Sequence, residues 1–532
     1  VQHAPQETQI FASRKHLCDA RPLGMDMDMD THEPSPPPSP AASSGITQLL
    51  SDTSWYLVAN VASKIVGFVM IPFYAGFLSA EEYGTLNLLE LATTIVAIAF
   101  GLQALGQSLT RIYHDAGDEA QKRHVVSTAV LGTILLGGAI AMVACLAAAP
   151  IGRLVSLPGQ AGLLRLSFAA MFTGGVSEVA LVYERMRNRA RFYFAYAMLT
   201  MIGMLGLNIL LIGFAHQGVW GFVYSKLTVT ALGAAYLTWR ILAEVGSAWR
   251  WRVARALFRF AGPLVLSGAC YFAIHFSDRL FLAHVSKADV GVYSLAYSFA
   301  FLLSILIGDS FNKSWNVSFY GLSSGDGWQT RFVQVGRWLI FVLGTGAIGI
   351  SLFGRDVLTV MVPASYYPPM LLLPVLVFGY FLREVGDFFN SMLLIGIGSG
   401  LVGRIALAGA LVNLLLNALL IPHYGIWGAA WATFATWAAY CAVAWLFAWR
   451  VHRVAMAPWA LGIILLLSGA ALFLAAAFSP GWVVLRLVWD GAVFTLYLMS
   501  ALILYLKPAE RSQALSLATT LMEKIGYKPW GE

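Results

Sequence analysis

Charge is scarce in this sequence: only 11% of its 532 residues are Asp, Glu, Lys or Arg, against about 25% in soluble domains. With 58% of the residues hydrophobic, a soluble chain of this size would leave more apolar surface in water than folded monomers do, so a soluble enzyme is excluded. Cysteine is scarce too. Cys18, Cys145, Cys270 and Cys441 stand far apart, which excludes a metal or redox pair read from spacing. No Gly-x-x-x-x-Gly-Lys-Ser/Thr phosphate loop occurs, so no ATP-driven step is implied. The apolar runs are long and continuous rather than short and alternating, which excludes a transmembrane β-barrel.

What the chain has in excess is apolar length, from about residue 47 to 506. Stretches of about 20 apolar residues cross a ~30 Å hydrocarbon core as helices. They are read at 49–76, 84–109, 125–149, 162–183, 193–214, 218–239, 256–283, 290–312, 333–353, 370–393, 400–421, 425–449, 457–478 and 481–506, fourteen in all. The expected fold class is an all-α polytopic membrane protein. Residues 1–46 carry an acidic Met-Asp stretch and the run Pro34-Ser35-Pro36-Pro37-Pro38, and read as a disordered tail. The chain begins with Val, and Met25 offers an alternative start.

The net charge of +7 is spread over short loops, which fits a topology signal rather than a nucleic-acid footprint. With the N-terminus inside, the cytoplasmic loops and the span ends beside them hold eighteen Lys and Arg, and the outer ones five. Both termini are therefore expected in the cytoplasm.

An internal repeat organises the spans. Gly218-Val219-Trp220-Gly221 recurs as Gly425-Ile426-Trp427-Gly428, an offset of 207. Leu78-Ser79-Ala80-Glu81-Glu82-Tyr83-Gly84 matches Val285-Ser286-Lys287-Ala288-Asp289-Val290-Gly291 at the same offset. Six spans separate the copies, so the repeats are parallel. The expected organisation is an N-lobe at 47–243, a C-lobe at 244–450, an added pair of helices at 451–506, and a cytoplasmic tail at 507–532.

Ionisable residues inside a spanning helix are functional candidates by default, because hydrocarbon disfavours them. Here they are Lys64, Glu90, Glu178, Lys226, Asp278, Arg279, Asp309, Lys313, Arg383, Glu384 and Asp387. Asp309 with Lys313, and Arg383 with Asp387, stand four apart and can pair on one helix face, leaving Glu384 over. Asp278 and Arg279 are neighbours whose side chains are expected to diverge by about 100°. A cation in a membrane cavity suits a phosphate or pyrophosphate group. The acids suit ion coupling, or merely hold the bases in place.

In order along the chain, Ala62-Ser63-Lys64-Ile65-Val66-Gly67, Leu109-Thr110-Arg111-Ile112-Tyr113, Ser277-Asp278-Arg279-Leu280-Phe281-Leu282 and Val290-Gly291-Val292-Tyr293-Ser294 resemble the polysaccharide and O-antigen flippases of the multidrug/oligosaccharidyl-lipid/polysaccharide (MOP) exporter superfamily. Trp315-Asn316-Val317 departs from the Trp-x-Pro common there. The resemblance implies two parallel six-helix lobes plus two helices. It implies passage of a polyprenyl-pyrophosphate-linked oligosaccharide across a bacterial inner membrane, with membrane lipids and polysaccharide polymerase machinery as partners, no nucleic acid, no cofactor and no bond making. On it, Lys64 and Arg279 would contact the anionic head group; as charges inside the membrane, Asp278, Lys226, Lys313 and Arg383 are further candidates for substrate binding, and Glu178, Asp309, Glu384 and Asp387 for ion coupling. The alternatives are a small-molecule exporter of the same superfamily, and a membrane glycosyltransferase or polymerase; the short outer loops leave the latter little room for a catalytic site.

Overall fold

In lipid, every backbone N–H and C=O must be satisfied within its own segment, so long apolar runs fold as helices. The computed structural model describes residues 66–67, 70–99, 101–187, 189–312, 315, 319, 327–363, 372–396, 399–452, 458–508 and 510–512. Lys64, Lys313 and the tail 1–46 lie outside these. The order is α1 (Ala80–Ala99), α2 (Leu102–Asp115), α3 (Glu119–Gly132), α4 (Gly138–Leu146), α5 (Ala148–Leu154), α6 (Ala161–Met186), α7 (Ala190–Asn208), α8 (Gly218–Val245), α9 (Trp251–Ala283), α10 (Lys287–Leu303), α11 (Trp328–Met361), α12 (Leu373–Gly396), α13 (Ser399–His452), α14 (Pro458–Ala477) and α15 (Val483–Leu504). No strand occurs among the described residues, and eight of the described helical segments are long and apolar enough to cross a bilayer.

Several expected spans are interrupted. The 84–109 span breaks between α1 and α2 at Gly101, whose φ of 69° is open to glycine at little cost. α13 carries two expected spans joined at Gly425, which is non-helical at φ 54°. Wide π turns interrupt three others at Thr133–Gly137, Ile209–Phe214 and Ser304–Gly308.

The offset of 207 has a physical counterpart. In the first copy, Glu82 N–H donates to Ser79 Oγ at 3.2 Å and Ser79 N–H donates to the Glu82 carboxylate at 2.9 Å, a capping box that starts α1. In the second, Asp289 N–H donates to Ser286 Oγ at 3.2 Å and starts α10. The two helices then cross reciprocally. A Cβ on Gly84 would overlap the Lys287 carbonyl, and a Cβ on Gly291 would overlap the Ala80 carbonyl. Each glycine thus meets the backbone at the repeat-equivalent position of the other copy.

The last pair of helices, α14 and α15, packs on α11 and is bonded to it at both ends. At one end Arg486 Nε donates to Asp356 Oδ1 at 2.6 Å. At the other, buried Arg337 donates to Glu510 Oε2 at 3.0 Å, and the Tyr505 hydroxyl donates to the Arg337 carbonyl at 3.1 Å.

The ends of α6 and α8 are tied by a charge cluster that the reading of the spans does not anticipate. Arg189 donates to both Glu244 oxygens at 2.7 and 2.8 Å, and to Glu184 at 3.2 Å. Arg240 Nε donates to Glu184 at 3.0 Å, and the Tyr183 hydroxyl donates to Glu244 at 3.0 Å. The Glu184 carboxylate is fully buried. The bidentate Arg189 fork holds the Glu244 carboxyl below the usual carboxylate range.

Two outcomes follow. Gly291→Ala forces the crossing apart and destabilises by about 1–3 kcal/mol, read as a lowered thermal unfolding temperature in detergent. Gly76→Ala, whose Cβ would meet nothing within 4 Å, leaves it unchanged. Because the Glu244 pKa is depressed on folding, its contribution is present above the unfolded value of about 4.3 and disappears as pH falls through the folded value. Glu244→Gln should therefore unfold at a lower temperature than the parent at pH 7, with a deficit that shrinks as the pH falls below 4.

Candidate functional site

In the N-terminal half, α1, α6 and α8 enclose a cavity of about 210 Å³. The helices that form it are apolar outside, and turn Glu90, Thr93, Thr94, Ser167, Glu178, Lys226 and Thr230 inward. Lys226 Nζ donates to Glu90 Oε1 at 3.0 Å, and both side chains keep about a third to a half of their exposure. An exposed pair of this kind contributes little stability, so its ammonium can exchange partners at low cost. Thr230 and Thr173 hydroxyls lie 2.7 Å apart across α6 and α8. Glu178 is exposed and has no ion pair among the described residues. It also lines a second cavity of about 650 Å³, with Gln107, Thr110 and Arg185. One carboxylate therefore faces both spaces.

The C-terminal half treats its charges differently. Arg279 and Asp278 are both buried, and the expected divergence is corrected: Arg279 Nη1 lies 3.8 Å from Asp278 Oδ1. The long arginine folds back, because Asp278 also accepts the Arg279 backbone N–H at 2.8 Å. The guanidinium donates to Ser294 Oγ and to the His275 carbonyl, each at 3.0 Å, and sits 4.3 Å from the Tyr297 ring centre. The Tyr293 hydroxyl donates to Asp278 Oδ2 at 2.7 Å. Arg279 is thus held within the protein rather than turned to a cavity.

The expected pairing of Arg383 with Asp387 alone is also corrected. Arg383 reaches Glu384 at 3.1 Å as well as Asp387 at 3.6 Å. Glu384 is not left over: it accepts from Ser304 Oγ at 2.6 Å and Asn312 Nδ2 at 3.1 Å, beside Gly308, where any Cβ would overlap it. The wide turn at Ser304–Gly308 makes room for this carboxylate. Asp309 is half-buried just beyond it.

Position in the chain alone does not point to two further features. A buried amide cluster joins α9 to α13, with Ser277 Oγ donating to Asn413 Oδ1 at 3.0 Å, Asn417 Nδ2 to Asn413 Oδ1 at 2.9 Å and Asn413 Nδ2 to Thr436 Oγ1 at 3.2 Å. Beside it, a pocket of about 500 Å³ is walled by Tyr271, His275, Asp387, Arg404, Trp437 and Tyr440. The i, i+4 spacing of Asn413 and Asn417 inside an apolar run was the available signal for the first.

Residues 73–324 match the model of a family described as polysaccharide biosynthesis protein. A protein of the Lsg locus of Haemophilus influenzae is 23% identical over 314 residues, 55% of this chain and 71% of that one. The solved structure of the lipid II flippase MurJ in an inward closed conformation superposes with a TM-score of 0.65 at 14% identity, covering 83% of this chain and 97% of that one. The inward-facing conformation of a multidrug resistance MATE family transporter of the MOP superfamily superposes at 0.59 and 17% identity, covering 74% and 95%. The chain thus shares the fold of these two solved transporters, and the polysaccharide biosynthesis pattern covers residues 73–324.

Proposed function

We propose that this protein carries a polyprenyl-pyrophosphate-linked oligosaccharide from the inner to the outer leaflet of a bacterial inner membrane by alternating access. The observation that carries the reading is the N-terminal cavity, where Lys226 is half-exposed and paired with Glu90 alone among the described acids. A pyrophosphate entering there competes with Glu90 for the ammonium, and the surrounding hydroxyls donate to its oxygens. Lys64 joins it as a second cation on the strength of the family resemblance. Arg279, enclosed by Asp278, Ser294 and Tyr297, supports the helices rather than touching substrate. Lys313 and Arg383 are secondary candidates.

Among the four candidate coupling acids, Glu178 is favoured. It faces two cavities, whereas Glu384 is saturated by Ser304, Asn312 and Arg383 and Asp387 is engaged by Arg383 and Tyr440. The substrate would pass to polysaccharide polymerase machinery, and both termini would lie in the cytoplasm.

Deletion of the gene is expected to trap a lipid-linked glycan on the cytoplasmic face. A Lys226→Ala copy should restore less than a tenth of surface glycan, and a Glu178→Gln copy should lower the rate while the purified protein still binds the glycolipid. Sensitivity to cationic dyes with normal surface glycan would instead indicate the drug-exporter alternative.

A further inference from the structure

The pocket between α9, α12 and α13 is chemically unlike the N-terminal cavity. At the repeat offset of 207, Trp437 and Tyr440 stand where the other half has Thr230 and Gly233, and Tyr271 stands where it has Lys64. Among the described residues, the N-terminal cavity presents Lys226 and hydroxyls, and this pocket presents aromatic rings. Tyr271 is 47% exposed, and its ring lies 4.2 Å from His275, centre to centre. His275 is 5.2 Å from Trp437, and Trp437 is 5.4 Å from Tyr440 in an edge arrangement. The rings form a continuous wall with polar groups at its margins.

Those margins exclude several occupants. An acyl chain would lie against the Asp387 carboxylate and the exposed Arg404 guanidinium, which hydrocarbon disfavours. A cation gains little, because Asp387 already accepts the Tyr440 hydroxyl at 2.6 Å and lies 3.6 Å from Arg383, and Arg404 adds positive charge. A bare anion would not use the aromatic wall. The Trp437 indole N–H is buried and has no hydrogen-bond partner among the described residues, and neither does the nearby Asn390 Oδ1. Buried groups left unpaired are unusual. A ligand with hydroxyl groups around a ring and a weakly polar ring face matches this set: its face packs on aromatic surface, while its hydroxyls donate to Asp387 and accept from Arg404 and the indole.

We infer that this pocket is a saccharide subsite that holds a hexose unit of the transported glycan while the N-terminal cavity holds the charged link. This rests on the transport reading above. The two halves of the repeat would then divide the substrate between them, charge in one and sugar in the other.

The test uses the purified full chain in detergent and two short-chain isoprenyl pyrophosphate probes, one bare and one carrying a single hexose, across a panel of hexoses and N-acetylhexosamines. At least one sugar-bearing probe is expected to bind more tightly than the bare one. Tyr271→Leu and Arg404→Gln should each remove that gain, a loss of about two- to tenfold for a ring contact of this size, with affinity for the bare probe unchanged. Trp437→Phe, which keeps the packing and removes the N–H, should reduce the gain as well. Lys226→Ala should weaken both probes alike. Equal binding of bare and sugar-bearing probes by the parent protein would overturn the subsite and leave the head-group reading standing, as would a sugar gain that survives in all three pocket variants. Binding of neither probe by the parent would overturn both readings.

Discussion

Two helices in this protein meet backbone to backbone, and the rest of the architecture is arranged around that crossing. Gly84 lies against the Lys287 carbonyl and Gly291 against the Ala80 carbonyl, so the contact maps onto itself when the two copies of the repeat are exchanged. At these two glycines helix backbone meets helix backbone. A contact of this kind lets helices approach closely. The capping hydrogen bonds at Ser79 and Ser286 begin both helices at the same phase, which is what lets the two glycines coincide. The only ion pair near it joins Lys287 to Glu81 at 4.0 Å among the described residues.

Away from the crossing the halves diverge in a way that a repeat does not require. The N-terminal half leaves an open space around Glu90, Lys226 and Glu178. In the C-terminal half, Tyr297 stands at the position matching Glu90 and Thr433 at that matching Lys226, and the space is occupied by Arg279, Tyr293 and Tyr297. The buried charges there have strong partners: Asp278 is held by Tyr293 and Arg279, and Glu384 by Ser304, Asn312 and Arg383. Breaking such a pair strands a charge in low dielectric, so separating these groups is costly. The half-exposed Lys226–Glu90 pair carries less of that penalty and can exchange partners more readily.

Much of the fold was legible because it is written locally. The spans follow from apolar length, and the repeat from a seven-residue match that turns out to be a cap plus a close-approach glycine. Side-chain partnership was less legible. Glu90 and Lys226 are separated by 136 residues, and no spacing rule joins them. Glu184 and Glu244 fall at helix ends, where acids usually face water, yet Glu184 is fully buried between Arg189 and Arg240. The i, i+4 rule found Arg383 with Asp387 but not Arg383 with Glu384, since an arginine long enough to fold back can engage its own neighbour. The contacts of Arg279 were hidden for the same reason: a buried cation reads alike in sequence whether it faces a cavity or an internal aromatic ring.

Movement of a lipid-linked glycan between leaflets is the activity we propose for this chain. Its most direct test is reconstitution of the purified protein into vesicles bearing a fluorescent polyprenyl-pyrophosphate saccharide in one leaflet, with a membrane-impermeant quencher on the other side. Quenching that is markedly faster than in protein-free vesicles, and is slowed by the unlabelled glycolipid, is the predicted result. A rate equal to that of protein-free vesicles, over a range of proton and sodium gradients, would contradict it.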